Sequence, residues 1–222
     1  MKSLPLDWHN NRLVIVVELL IAIILQILHA NRIINSAIIF LFIIGWLSLR
    51  LRKSGWAHIG LSRPTNWLRT IGLGIIAGLV YQAISMWLIV PLLHKLTNKP
   101  LDLSQFESLR SNPTLLIISL VAVWIIAAFG EEMVYRGYLL NRISDLLGRN
   151  QAAWIAAAIG SSALFGFGHV YQSISGIIDT FLFGCVMAGL YLIRQRNLWL
   201  PIIAHGVYDT AALIMIFLGW YP

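Results

Sequence analysis

Charge is scarce in this chain, and so is cysteine. Only 11% of the 222 residues are Asp, Glu, Lys or Arg. The one cysteine, Cys185, sits in an apolar run and excludes a disulfide framework within the chain. No stretch alternates apolar and polar residues with period two, so strands are not expected, and neither internal repeats nor low-complexity tracts are present. So little charge beside 59% hydrophobic residues and nine tryptophans leaves no room for a soluble module. The formal net charge of +7 raises the question of nucleic acid. No basic patch interleaved with aromatics lies on a soluble face, so no nucleic-acid partner is expected. The partner that composition implies is the lipid bilayer, and membrane-protein loops account for the basic residues.

What is present is a series of apolar runs at 13–28, 33–49, 71–93, 114–140, 152–169, 177–193 and 198–218. These predict an all-α, polytopic transmembrane bundle of about seven spans. The first run is too long for a cleavable signal and lacks a small-x-small site. Gly74 and Gly78, spaced GxxxG, predict close approach of a neighbouring helix to the third span. Glu18, inside the first span, is expected to pair structurally. The loop 50–69 holds five Lys/Arg and no acid. With the N-terminus cytoplasmic, 12 of the 16 Lys/Arg, Lys2 among them, fall on inside segments, and the positive-inside rule favours that orientation. Trp56, Trp67, Trp199 and Trp220 fit an interfacial belt, as do His9, His29, His58 and His94 near span ends.

Three constellations carry chemistry. The first is Glu131-Glu132-Met133-Val134-Tyr135-Arg136, embedded in the apolar stretch 115–140. Ionisable groups at membrane depth cost about 2.5–3.5 kcal/mol each on insertion scales, which makes them functional-site hypotheses by default. Glu132 and Arg136 are four apart, acid first, the favoured arrangement for an ion pair. Glu131 lies about 100° round the helix, on the face of Tyr135 and without a sequence-local cation, so it is a candidate general base. The plain alternative is a helix-end salt-bridge cluster at the lipid–water boundary. The second constellation ends in His169, four residues after Phe165, and the third is His205 with Asp209 on one face of the last span. A capping or interfacial role for His169, and a mutual hydrogen bond between His205 and Asp209, are the plain alternatives there. Converging in a dry cavity, the three sets would activate water, as general base with electrostatic stabilisers or as metal ligands.

In this order the motifs resemble those of the CPBP family of intramembrane proteases, which comprises the type II CAAX prenyl endopeptidases and the bacteriocin-processing, immunity-associated (Abi-like) relatives. The family patterns are Glu-Glu-x-x-x-Arg, Phe-x-x-x-His and His-x-x-x-Asn/Asp; here they are Glu131 to Arg136, Phe165 to His169 and His205 to Asp209. The motif-bearing part spans about 115–214, and the segment 56–64 resembles one that often precedes this domain. The resemblance implies a helical endopeptidase in the bacterial cell membrane, with a cavity open to the cytosol. Its implied substrate is a peptide or a membrane-anchored protein. Residues 113–222 would be the protease core and 1–112 the N-terminal helices with the basic loop. Carried over, Glu131 activates the water with help from His169, Glu132 and Arg136 shape the site with Tyr135 and Phe165, and His205 with Asp209 stabilises the oxyanion. In a metal-dependent variant, zinc or another divalent ion would be held by Glu131, His169, His205 and Asp209.

Two features depart from the simplest form of this reading. Position 209 is Asp where prenyl-processing members typically have Asn, and an ionised Asp cannot donate to an oxyanion. It must be protonated, orient His205 or ligate a metal. The fourth helix is expected to continue towards Arg149. With its inside end near Asn141, however, Glu131 would lie about 15 Å from that end while His169 lies about 27 Å from its own. The groups then meet only where the segment 141–153 is partly interfacial or the helices tilt strongly. Two further classes stay open: a non-catalytic immunity or scaffold protein, and a proton-coupled transporter. The transporter requires a polar pathway through the whole membrane.

Overall fold

The computed structural model describes residues 11–221. Lys2 and His9 lie outside the described residues. Seven helices organise the rest: α1 (Arg12–Ala30), α2 (Ile38–Leu51), α3 (Trp67–Thr97), α4 (Pro113–Leu147), α5 (Gln151–Phe167), α6 (Ser173–Ile193) and α7 (Trp199–Phe217). No strand occurs among the described residues. Five of the helices are long and apolar enough to cross a membrane, α6 with its leading turn Val170–Gln172 included. The other two, α2 with 14 residues and α5 with 17, are apolar but shorter.

The starts are written locally. Asn11, Asn66, Asn112 and Asn150 each precede a helix, and each side-chain oxygen accepts a hydrogen bond from a backbone N–H of the first turn. Pro113 opens α4, where its missing N–H costs nothing. Gly148, at φ 95°, ends α4 in the left-handed conformation that residues with a Cβ adopt at a cost.

α4 continues past Asn141 in the expected direction of Arg149. It runs 35 residues to Leu147, with two wide π-helical stretches, Val123–Glu131 and Met133–Leu139, on either side of Glu132. This resolves the expected depth conflict. Counted back from the α4–α5 turn, Glu131 lies about 25 Å away, close to the distance at which His169 lies beyond the same turn. The first half of α4 faces outward, with Ile117 and Ile125 both more than 60% exposed, as a lipid-facing surface requires. Its second half is buried from Glu132 to Arg142.

Packing follows small residues. A Cβ on Gly74 would come within 2.6 Å of Ile203 Cγ2, and one on Gly78 within 2.5 Å of the Ala204 carbonyl oxygen. The expected GxxxG contact is therefore that of α3 with α7, and it seats the segment carrying His205. Gly184 on α6 faces Ser162 on α5 in the same manner. Between these pairs lies an apolar core drawn from all seven helices, including Ala22, Leu41, Tyr81, Val134, Phe165, Phe183 and Ala204. Towards the turn 148–150 a second cluster fills the bundle, with Met133, Leu140, Ala157, Tyr191 and Leu198 all 1% exposed or less. Glu18 pairs with Arg52 at 2.7 Å, the structural role expected of it.

Candidate active site

Glu132 and Arg136 form the expected ion pair. Arg136 Nη1 lies 2.9 Å from Glu132 Oε1, and neither side chain is exposed. Arg136 Nη2 donates to the Gly184 carbonyl at 3.0 Å, and its guanidinium stacks 4.7 Å from the Phe165 ring centre. Glu132 has a second partner that helical spacing does not reveal: His205 Nδ1 stands 2.8 Å from the same Oε1. A carboxylate paired with Arg136 accepts, so His205 donates from Nδ1. Its other nitrogen then faces Asp209 Oδ2 at 3.2 Å and Glu131 Oε2 at 3.9 Å. Glu131 makes no pair with the arginine of its own helix; it meets the imidazole of α7. Asp209 meets the imidazole one turn before it, which is the contact an orienting role needs.

His169 follows the end of α5. Its Nδ1 lies 2.9 Å from the Phe165 carbonyl oxygen, which only accepts, so Nδ1 carries a proton and the neutral ring keeps its lone pair on Nε2. Phe165 packs between the two histidines, with ring centres 4.8 Å from His169 and 6.1 Å from His205. Tyr135 stacks edge-on against Phe165 at 4.9 Å and accepts a 2.5 Å hydrogen bond from Gln26 of α1. Tyr135 thus ties α1 to α4, and both it and Phe165 pack beside the ionisable groups.

One cavity of about 200 Å³ is lined by Glu131, His169, His205 and Asp209 together with Phe165, Tyr171, Phe183 and Tyr208. Glu132 and Arg136 stand behind that wall. Among the described residues no group of three or more His, Cys, Asp or Glu is arranged to hold a metal ion. Asp179 lines the same cavity and escaped the sequence reading. It is 5% exposed and accepts from Ser85 Oγ at 3.0 Å, while Tyr81 OH donates to its backbone oxygen at 3.4 Å. Its signal was the one that singled out Glu131, an acid inside an apolar run.

The cavity lies towards one end of the bundle. Leu101, Leu103 and Phe106 of the α3–α4 loop and Tyr221 complete its wall. That loop is at the end of the bundle where Asp102 N bonds to the Gln172 carbonyl and Ser111 N to the Phe217 carbonyl. The basic loop 50–69 is at the other end, against the α4–α5 and α6–α7 turns, where Leu198 N bonds to the Gly60 carbonyl. Ile15, near the start of α1, lies at that basic end with Arg52, Arg142 and Arg149, so the start of α1 and the loop that walls the cavity are at opposite ends of the bundle.

Residues 113–211 match the family described as type II CAAX prenyl endopeptidase, Rce1-like. The chain is also 30% identical over 101 residues to an uncharacterised 24.3 kDa protein of Escherichia coli, an alignment covering 44% of this chain and 44% of that one. This chain thus spans less than half the length of the curated relative it matches. No solved structure matches. All three motifs lie inside the matched segment, and the resemblance to the CPBP intramembrane proteases holds there: residues 113–211 carry the pattern of the Rce1-like type II CAAX prenyl endopeptidases.

Proposed function

We propose that this chain is an intramembrane endopeptidase whose seven helices all traverse the bilayer, with residues 113–222 as the protease core braced by residues 1–112. The observation that carries this reading is the meeting of Glu131, His169 and the His205–Asp209 pair, from three separate segments, in one cavity. Buried charges and imidazoles cost insertion energy, and a scaffold has no use for them.

In the proposed reaction the substrate is a peptide or a membrane-anchored protein whose scissile bond enters the cavity. Glu131 takes a proton from a water held between its carboxylate and His169 Nε2. The water oxygen bonds to the scissile carbonyl carbon, and the carbonyl π electrons move onto its oxygen. His205, doubly protonated between Glu132 and Asp209, donates from Nε2 towards the oxyanion. Asp209 holds the ring in place, so its inability to donate is no obstacle. On collapse of the intermediate the C–N bond breaks, and the proton on Glu131 passes to the leaving amine.

The transporter alternative requires a polar path from face to face. Met133, Leu140, Tyr191 and Leu198 fill the bundle between the cavity and the basic end, which argues against it. The test is hydrolysis of a quenched peptide library by purified, detergent-solubilised protein beside Glu131→Gln, with bound metal measured in the same samples. Cleavage by the wild type alone is the expected result. Equal cleavage by both removes Glu131 from the reaction, and a folded wild type that cleaves nothing favours the immunity or scaffold reading. Stoichiometric metal in an active wild type would show that zinc or another divalent ion joins the chemistry.

A further inference from the structure

The two ends of the bundle differ in charge as well as in function. At the end closed by the apolar plug, the loop 50–69 alone carries five Lys/Arg and no acid. Arg12, Arg142, Arg149, Arg194 and Arg196 join it there, giving ten basic residues among those described, beside Asp145, which pairs with Arg142 and Arg149, and Glu18, which pairs with Arg52. Arg149 and Arg196 both lie over Trp154, 5.0 and 4.9 Å from its ring, which gathers the α4–α5 and α6–α7 turns into one surface. At the cavity end there are four, Arg32, Lys95, Lys99 and Arg110, beside Asp102 and Glu107. Arg136 is buried in the core and counts on neither side. Lys and Arg near span ends are retained on the cytoplasmic side, and each is worth about 1 kcal/mol near an anionic leaflet. An excess of six on one end sets the orientation.

We propose that the basic end is cytoplasmic and that the catalytic cavity opens on the extracytoplasmic side, beneath the α3–α4 loop. This rests on the proteolytic reading for its chemistry and on charge and topology for its direction. The substrate class follows. It is a peptide segment presented from outside, either a translocated peptide or the external part of a membrane-anchored protein, and not a tail modified and displayed in the cytosol. Leu101, Phe106, Leu213 and Ile216 line the cavity, so the residues flanking the scissile bond are apolar. The cytosolic side offers no route, because the plug of the second apolar cluster separates it from Glu131.

The direction is tested without relying on activity. In a Cys185→Ser background, Ser108→Cys places an exposed thiol in the α3–α4 loop and Thr65→Cys places one in the basic loop. Spheroplasts expressing each variant are treated with a membrane-impermeant maleimide before and after permeabilisation. Labelling of Ser108→Cys in intact spheroplasts, at least tenfold above Thr65→Cys, with both labelled after permeabilisation, is the expected result. The reverse pattern, or equal labelling of both in intact spheroplasts, overturns the proposal. A second arm offers a quenched, impermeant peptide to right-side-out and inside-out vesicles of the wild type. Cleavage confined to right-side-out vesicles supports an outward cavity, and cleavage confined to inside-out vesicles overturns it. Should no peptide be cut on either side while the labelling holds, the orientation stands and the proteolytic reading fails.

Discussion

His205 Nδ1 and Glu132 Oε1 are 2.8 Å apart, and the same carboxylate oxygen is 2.9 Å from Arg136 Nη1. Glu132 therefore joins α4 to the imidazole of α7 while neutralising a fully buried arginine. The adjacent acid neutralises no arginine and meets the same imidazole only at its far nitrogen, 3.9 Å away. Two neighbouring glutamates on one helix thus have separate parts, and their isosteric amides separate them experimentally.

Glu131→Gln should remove hydrolysis by about 10²–10⁴-fold, the usual contribution of a general base, and leave the thermal melt in detergent unchanged. Glu132→Gln should lower both activity and stability. It leaves Arg136 buried without a counter-charge, which costs about 3–5 kcal/mol. Differential scanning fluorimetry run beside the peptide assay checks the pair. Equal melting of the two variants would contradict the division of roles.

Position 209 separates orientation from charge. Asn matches Asp in length and can still accept from, or donate to, His205 Nε2. Asp209→Asn should keep peptide cleavage within about tenfold, whereas Asp209→Ala should lose about 10–100-fold, the range for removing the group that orients a functional histidine. A kcat for Asp209→Asn as low as that for Asp209→Ala would mean that the negative charge itself is required.

The α3–α7 contact should transmit packing to the site. At Gly78 an added methyl meets the Ala204 carbonyl at 2.5 Å, one residue before His205. Gly78→Ala is expected to cost about 1–3 kcal/mol through overpacking and to reduce kcat with little change in KM. At Gly72 nothing lies within 4 Å of an added Cβ, so Gly72→Ala serves as a control and should leave both measurements unchanged.

Asp179 is expected to matter for stability. Replacing it with Ala strands the Ser85 hydroxyl, which is fully buried, at a cost of about 1–3 kcal/mol. The double variant Asp179→Ala, Ser85→Ala should recover part of that loss, because the Ser85 donor is then no longer stranded, while the Tyr208 hydroxyl that also bonds Asp179 still is. Thermal melts of the four combinations give the coupling directly.

Much of the molecule was legible without coordinates, because the relevant physics is local or is imposed by the solvent. A bilayer demands helices with satisfied backbones, so apolar runs identify the membrane-embedded segments. Asn and Pro mark helix starts through hydrogen bonds within one turn, and spacing of four pairs Glu132 with Arg136 and His205 with Asp209. The rarity of charge in lipid made Glu131 conspicuous, and the same signal was present at Asp179. What sequence could not supply were relations across helices. Neither spacing nor composition joins Glu132 to His205, sets Phe165 between two imidazoles, or brings Glu131 level with His169. The end of the bundle at which the cavity lies belongs with these: motifs nominate the site, but only the packing of the α3–α4 loop over one end and of the apolar plug at the other places the cavity there.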